Sequence, residues 1–373
     1  MIYLDYSSTT KVDDEVLESF IIVAKNYYGN ANSIHEFGNT SNKLLKKAEE
    51  SILNTLHLNK HEVIFTSSAT ESNNTVLKGL ENFNRNEILI GKFEHSSISE
   101  TVKHLNNKYV IKYLDINNDG TINIEKLKKV LNKNTLLVSF ASVDSELGIK
   151  QDVENITKII KENSSALVHI DAVQALGKVN INYNNCDFIS GVSHKFYGVI
   201  GTAFLIKKKN IKITPLLHGG TSHNEYRSST VNLPGIVSTS KALRLATLNI
   251  DEKYKYVDSL NKKIKNELKK YENIVINNTI KSIAHIINFS ILNIKPESFV
   301  NAMSEKEIYL STKSACSNDK LISSSVLNLY NDKKRSSTSI RISLSYKTTE
   351  KEIDKFLNIF RKIIKEMSLN NER

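Results

Sequence analysis

At 373 residues and 42.2 kDa, with 40% hydrophobic and 24% charged residues, the chain exceeds one typical domain and can bury a substantial core. No stretch approaches the roughly 18 uninterrupted apolar residues of a membrane span, and the opening Met1-Ile2-Tyr3-Leu4-Asp5-Tyr6-Ser7 lacks the layout of a secretory signal, so a cytoplasmic protein is expected. The formal net charge of +11 comes from scattered lysines standing beside acids, as in Lys351-Glu352-Ile353-Asp354-Lys355, which describes a solvated surface and no direct nucleic-acid binder.

Short apolar runs at 62–66, 87–90, 109–111, 136–140, 166–170, 186–190 and 203–206 read as strands, with amphipathic helical stretches such as 40–56 and 153–162 between them. That alternation predicts an α/β fold, a largely parallel sheet with helices on both faces. Ligands of such sheets bind beyond the carboxyl ends of the strands, so the polar residues found there are the candidates for a site. After about Ile236 the texture changes: helices at 238–248 and 252–271, a strand at 282–289, a helix at 297–304, a strand at 339–344 and a closing helix at 349–367 predict an α+β second unit.

Thr66-Ser67-Ser68-Ala69-Thr70-Glu71-Ser72-Asn73-Asn74 follows the first of these strands and opens a helix. Hydroxyls and free N–H groups there suit an anion, with Thr70 placed for a phosphate, although taken alone plain capping is the simpler reading. His95, after the 87–90 strand, could stack on a planar ring or move a proton. Asp171 ends a buried strand, where a carboxylate needs a cationic ligand or a helix start, and Gln174 lies one helical turn on. In Ser193-His194-Lys195-Phe196-Tyr197-Gly198 a lysine stands at the mouth of a buried strand, which fits either a Schiff base to an aldehyde cofactor or an ordinary strand-end lysine. Arg227-Ser228-Ser229-Thr230 reads as an anion-binding loop. Arg341, between two isoleucines on a strand, fits either a substrate carboxylate or an edge salt bridge. The two cysteines exclude a disulfide framework: Cys186 reads as a buried hydrophobe, and Cys316 in Ser314-Ala315-Cys316-Ser317 as an accessible, reactive thiol. No metal site is expected.

In this order the phosphate loop, histidine, Asp-x-x-Gln, Ser-His-Lys, Arg-Ser-x-Thr, Ser-Ala-Cys and Ser-Ile-Arg resemble the class V, fold type I pyridoxal-phosphate enzymes, and among them the cysteine desulfurases of the NifS/IscS type. The resemblance runs from Tyr3-Leu4-Asp5 and the stretch Tyr28-Gly29-Asn30-Ala31-Asn32-Ser33-Ile34-His35 to the closing helix. It implies a large pyridoxal-phosphate-binding domain over 14–250 with a mostly parallel seven-stranded sheet, and a small domain from 1–13 and 251–373 carrying the Cys316 loop. It further implies that Lys195 bonds the cofactor, Asp171 keeps its ring nitrogen protonated, Gln174 lies near the ring hydroxyl, His95 stacks on the ring, and Thr70, Ser193 and His194 hold the phosphate. Thr230 would reach the phosphate of the neighbouring subunit in a homodimer, while Arg341 and Asn32 would bind the substrate. L-cysteine would yield L-alanine, with sulfur passed to Cys316 as a persulfide and then to an acceptor protein for iron–sulfur assembly or tRNA thiolation.

The chain departs from that family at Asp144-Ser145-Glu146, where Asn-Asn-Glu is usual and Ser145 takes the place of an asparagine that contacts the cofactor. It departs again at Gly198-Val199-Ile200-Gly201, at Ser229 and at Tyr6. Two alternatives follow. A selenocysteine lyase or another class V lyase or transaminase would turn over independently of Cys316, and a non-catalytic scaffold of the same fold would hold no lysine-bound cofactor.

Overall fold

The computed structural model describes residues 1–81, 83–220, 224–312 and 322–371. Its strands are β1 (Ile2–Tyr3), β2 (His61–Thr66), β3 (Glu87–Ile90), β4 (Val110–Tyr113), β5 (Thr135–Ala141), β6 (Leu167–Asp171), β7 (Phe188–Val192), β8 (Ala203–Lys208), β9 (Ile274–Ile276), β10 (Ile286–Ile291), β11 (Ile308–Tyr309) and β12 (Ser339–Ser343). Seven of them form one sheet in the order β2-β8-β7-β6-β5-β3-β4. Strand β8 runs antiparallel to both its neighbours, and the remaining pairs are parallel. The mostly parallel α/β sheet expected from the sequence is therefore present.

Its strands are apolar because both faces are covered. Successive residues serve opposite cores: Leu137, Leu167 and Phe188 join one, while Val138, Val168 and Ile189 join the other. The first core is closed by Val76 and Leu77 of helix Ala69–Lys78 and by Ile98 and Val102 of helix Ser96–His104. The second is closed by helices Asp14–Asn26, Glu36–Thr55, Val153–Asn163 and Leu233–Thr247. Burial of each large aliphatic side chain contributes about 1.5–3 kcal/mol. Strand β4 is one edge, with Val110 and Tyr113 half exposed.

A separate core lies around the antiparallel sheet β12-β10-β9. Phe299, Phe356 and Phe360, from helices Pro296–Ser304 and Glu350–Asn371, pack there with Phe289 of β10 at ring separations of 5.8–6.4 Å around Phe360. The amino terminus joins this core through Ile2 and Leu4, and β1 pairs in parallel with β11.

Among the boundaries that differ from expectation, three have a clear local cause. Strand β7 begins at Phe188, because the Asp187 carboxylate accepts the Val168 N–H at 2.7 Å and pairs with Lys161 and Lys208 before the ladder starts. Strand β10 begins at Ile286, since Ser282 makes only an isolated bridge to Ile149 and the Ile283 N–H turns to the Gly148 carbonyl. The helix expected from 238 starts at Leu233, where the Asn232 side chain accepts from Gly235 N–H at 3.1 Å and a proline fills the first turn.

Candidate active site

Strands β2, β3, β5, β6 and β7 point their carboxyl ends to one side, and a cavity of about 290 Å³ opens there. Thr70, His95, Ser145, Asp171, Gln174, His194, Lys195 and Arg341 all line it. Residues spread from 70 to 341 are thus collected at the place where open α/β sheets bind ligands.

Lys195 ends a tight turn, Ser193–Lys195, that continues directly from β7. Tyr197 then adopts a left-handed φ of 67°, and a Cβ added to Gly198 would lie 1.8 Å from Ser193 Oγ, so only glycine fits there. The amino-terminal segment straps this turn: Thr10 N–H and Oγ1 both donate to the His194 carbonyl, at 2.9 and 3.0 Å. Lys195 Nζ donates to the carbonyls of Ser7 and Ser8, both at 2.6 Å. The amine is held by neutral acceptors at the cavity wall. Beside it, burial pushes His194 down to about 4, with Lys195 nearby acting in the same direction, so its ring is neutral at pH 7, and its buried Nδ1 has no partner among the described residues.

Asp171 and His95 belong to one network. Asp171 Oδ1 accepts the Val173 N–H at 3.0 Å, and Oδ2 accepts from Asn73 Nδ2 at 3.0 Å. The same Asn73 nitrogen donates to Ser97 Oγ at 2.9 Å, and Ser97 Oγ lies 2.9 Å from His95 Nδ1, which also accepts Ser97 N–H at 3.1 Å. With Nδ1 accepting, the His95 proton sits on Nε2. Glu94 lies behind this network, its Oε2 buried and its Oε1 accepting the Ala141 N–H at 2.8 Å. Burial, reinforced by Asp171, holds its carboxyl well above the usual range.

Arg341 is 2% exposed. Its Nη2 meets Asp5 Oδ1 and Ser8 Oγ, each at 2.9 Å, and its Nη1 donates to the Ser145 carbonyl at 2.9 Å. The salt bridge considered from the sequence is real, yet it leaves Nε, a buried donor, without a partner among the described residues. A guanidinium keeps that much capacity for a carboxylate.

Three expected residues lie outside this cavity. Ser193 is completely buried, with Oγ accepting from Thr239 Oγ1 at 3.0 Å. Thr230 lines a neighbouring cavity of about 200 Å³ with Arg227, whose Nε donates to Glu71 Oε1 at 2.9 Å. Asn32 is exposed, its backbone N–H held by Asn30 Oδ1 at 2.9 Å. Cys316 lies outside the described residues. Cys186 is buried, as expected of a small hydrophobe, and burial pushes its thiol up to about 12.

Other participants carried no usable signal. The Ser7 and Ser8 carbonyls are backbone groups, which leave no mark on composition. Asn73 lies within the quoted phosphate loop, but its partner Asp171 is 98 positions away.

The sequence matches the class-V aminotransferase family over residues 2–356. It is 35% identical over 366 residues to "Cysteine desulfurase IscS" of Buchnera aphidicola subsp. Baizongia pistaciae, covering 95% of this chain and 90% of that one. It is likewise 35% identical over 366 residues to "Cysteine desulfurase, mitosomal" of Encephalitozoon cuniculi, covering 95% and 84%. Among solved structures, a "NIFS-LIKE PROTEIN" superposes with a TM-score of 0.91 at 32% identity over 99% of both chains. A NifS-like protein from Rickettsia africae gives 0.88 at 31% identity, covering 98% of this chain and 99% of that one. The chain belongs to the class-V aminotransferase family and, within it, to the cysteine desulfurases of the NifS/IscS type.

Proposed function

We propose that the protein is a pyridoxal-phosphate-dependent cysteine desulfurase that converts L-cysteine to L-alanine and takes the sulfur onto Cys316. The observation that carries this reading is the gathering of Lys195, Asp171, His194 and Arg341 around one cavity, with Arg341 Nε and His194 Nδ1 buried and without partners among the described residues. An amine, a carboxylate, an imidazole and a guanidinium there match an aldehyde cofactor with a basic ring and a phosphate, together with an amino-acid substrate.

The residues present fit the cofactor. Lys195 would hold its aldehyde carbon, Asp171 a protonated ring nitrogen, Gln174 the ring hydroxyl and His95 the ring face, with His194, Thr70 and the first turn of helix Ala69–Lys78 at the phosphate. When bound, pyridoxal phosphate supplies an electron-withdrawing ring that stabilises negative charge at the α-carbon of an amino acid. Arg341 orients the substrate by its carboxylate, and Lys195 takes the α-proton. The Cys316 thiolate attacks the substrate sulfur and the Cβ–S bond breaks. Its electron pair stays with the carbon skeleton, which takes up one proton at Cβ and regains the α-proton from Lys195 before leaving as alanine, while Cys316 keeps the sulfur as a persulfide. Asn32 would add a substrate contact, and Ser193 would act on the phosphate through its turn.

The finer assignments rest on supporting features. Leu17, Ile21 and Ile22 of helix Asp14–Asn26, with Tyr28 and Ile34 beyond it, stand exposed, and Thr230 sits in its own cavity. Both support a homodimer in which Thr230 completes the neighbouring site. Residues 14–250 would form the cofactor domain, with 1–13 and 251–373 as the second domain. No helix among the described residues is long and apolar enough to cross a membrane. A cytoplasmic setting would keep the Cys316 thiol reduced, and a sulfur-acceptor protein of iron–sulfur assembly or tRNA thiolation would consume the persulfide.

Borohydride reduction of the protein incubated with pyridoxal phosphate, followed by peptide mass analysis, tests the cofactor assignment. A pyridoxyl mass on the peptide containing Lys195 is expected. No label, or a label that persists in Lys195→Ala, overturns it.

A further inference from the structure

Lys178 lies in the turns after β6 and is 5% exposed. Its Nζ donates to Gln174 Oε1 at 2.7 Å, a neutral amide where a buried ammonium would need a carboxylate. Burial, with Lys195 and Arg341 nearby, pushes this amine well below the ordinary lysine range and favours its uncharged form. Gln174 Nε2 in turn donates to the Ser7 carbonyl at 2.9 Å, the carbonyl that also accepts Lys195 Nζ at 2.6 Å.

The orientation of the Gln174 amide follows from donor accounting. A carbonyl can only accept, so Nε2 must face Ser7, and Oε1 therefore faces Lys178, which must donate. With Oε1 and one N–H occupied, the second N–H is what Gln174 has left for the cavity it lines. We propose that Lys178 is a positioning residue: it holds the Gln174 amide so that an N–H, and never the carbonyl, meets the oxygen of a ligand bound to Lys195. This rests on the pyridoxal-phosphate reading above, in which that oxygen is the ring hydroxyl. A donor at the oxygen stabilises its negative charge, so the Lys195-bound cofactor loses its proton at lower pH when Lys178 is present.

The test is a pH titration of the visible absorption of the full-length, cofactor-loaded protein, comparing wild type, Lys178→Met, Gln174→Leu and the double variant, with thermal unfolding measured alongside. Lys178→Met replaces a buried amine by an apolar chain of similar shape, and Lys178→Leu serves the same arm should Met not fold. Each single variant is expected to raise the midpoint by about one pH unit, the size of one hydrogen bond to a charged group. The double variant is expected to go no further than the singles, because both changes remove one interaction. A Lys178 variant that loses thermal stability but titrates at the wild-type midpoint overturns the proposal, and so do shifts that simply add. Absence of a lysine-bound band in wild type overturns the cofactor reading itself, before any variant is compared.

Discussion

At the scale of single residues the site is a set of side chains with unequal freedom. Lys195 is held at the cavity wall by two backbone carbonyls, and in the proposed reaction its amine bonds carbon and then carries a proton. Lys195→Ala is expected to lower alanine formation from L-cysteine by about 10²–10⁴-fold, the usual weight of a positioned acid–base group. Arg341 is locked by Asp5, Ser8 and Ser145, so its guanidinium plane is fixed before substrate arrives. Arg341→Lys keeps the charge opposite Asp5 but loses the fork. KM for L-cysteine is expected to rise about tenfold to a hundredfold, with a smaller change in kcat. An unchanged KM would remove Arg341 from substrate binding. Lys195, Asp171 and Arg341 were legible in the sequence because each is a charge at the end of, or within, an apolar strand. Asn73 and Lys178 were not, since neither stands out locally and their partners are fixed by the tertiary fold.

At the scale of elements, the strand ends do the positioning. The alternation of apolar runs identified the sheet, and the ligand side followed from the rule for open α/β sheets. What the sequence could not carry was the start of β7 and β10, where Asp187 and Ser282 turn their bonds to other segments. The turn after β7 is the tightest point. In Gly198→Ala the new methyl would meet Ser193 Oγ, which Thr239 holds, and the Ser193 carbonyl stands 3.1 Å from the same position. A loss of about 1–3 kcal/mol in stability is expected, read as a lower thermal midpoint, as for other overpacked sites. The 144–146 loop has a pH signature of its own. Burial, reinforced by Glu146, raises Asp144 to about 7, while its carboxyl accepts from Ser325 Oγ at 2.9 Å. The folded state therefore binds this proton more tightly than the unfolded chain. The stabilisation is complete below the ordinary carboxylate range and is lost as pH rises towards 7. Asp144→Asn is expected to flatten the fall in thermal midpoint between about pH 4 and pH 7. A wild-type slope that the substitution leaves intact would assign it to other groups.

At the scale of the whole molecule, two cores meet around one cavity, and the amino terminus belongs to the second core while its Ser7 and Ser8 carbonyls reach Lys195 of the first. Thr230, in its separate cavity, is the residue the proposed dimer explains. Mixing Lys195→Ala subunits with Thr230→Ala subunits is expected to restore activity above either alone, since a mixed dimer would pair an unaltered Lys195 with an unaltered Thr230 in one of its sites. No restoration, with subunit exchange demonstrated, would place Thr230 in its own subunit's chemistry or in none. The departure at Ser145 leaves this arrangement in place, because Arg341 holds Ser145 through its backbone carbonyl and not its side chain.

The most direct measurement is the release of alanine and sulfide from L-cysteine in the presence of a reductant, for the cofactor-loaded protein and for Cys316→Ala. Equal amounts of alanine and sulfide from the wild type, and loss of both in the variant that still binds cofactor, are predicted. Turnover that survives without Cys316 would contradict the persulfide route and point to a lyase, and a wild type that binds cofactor but releases neither product would contradict the enzyme.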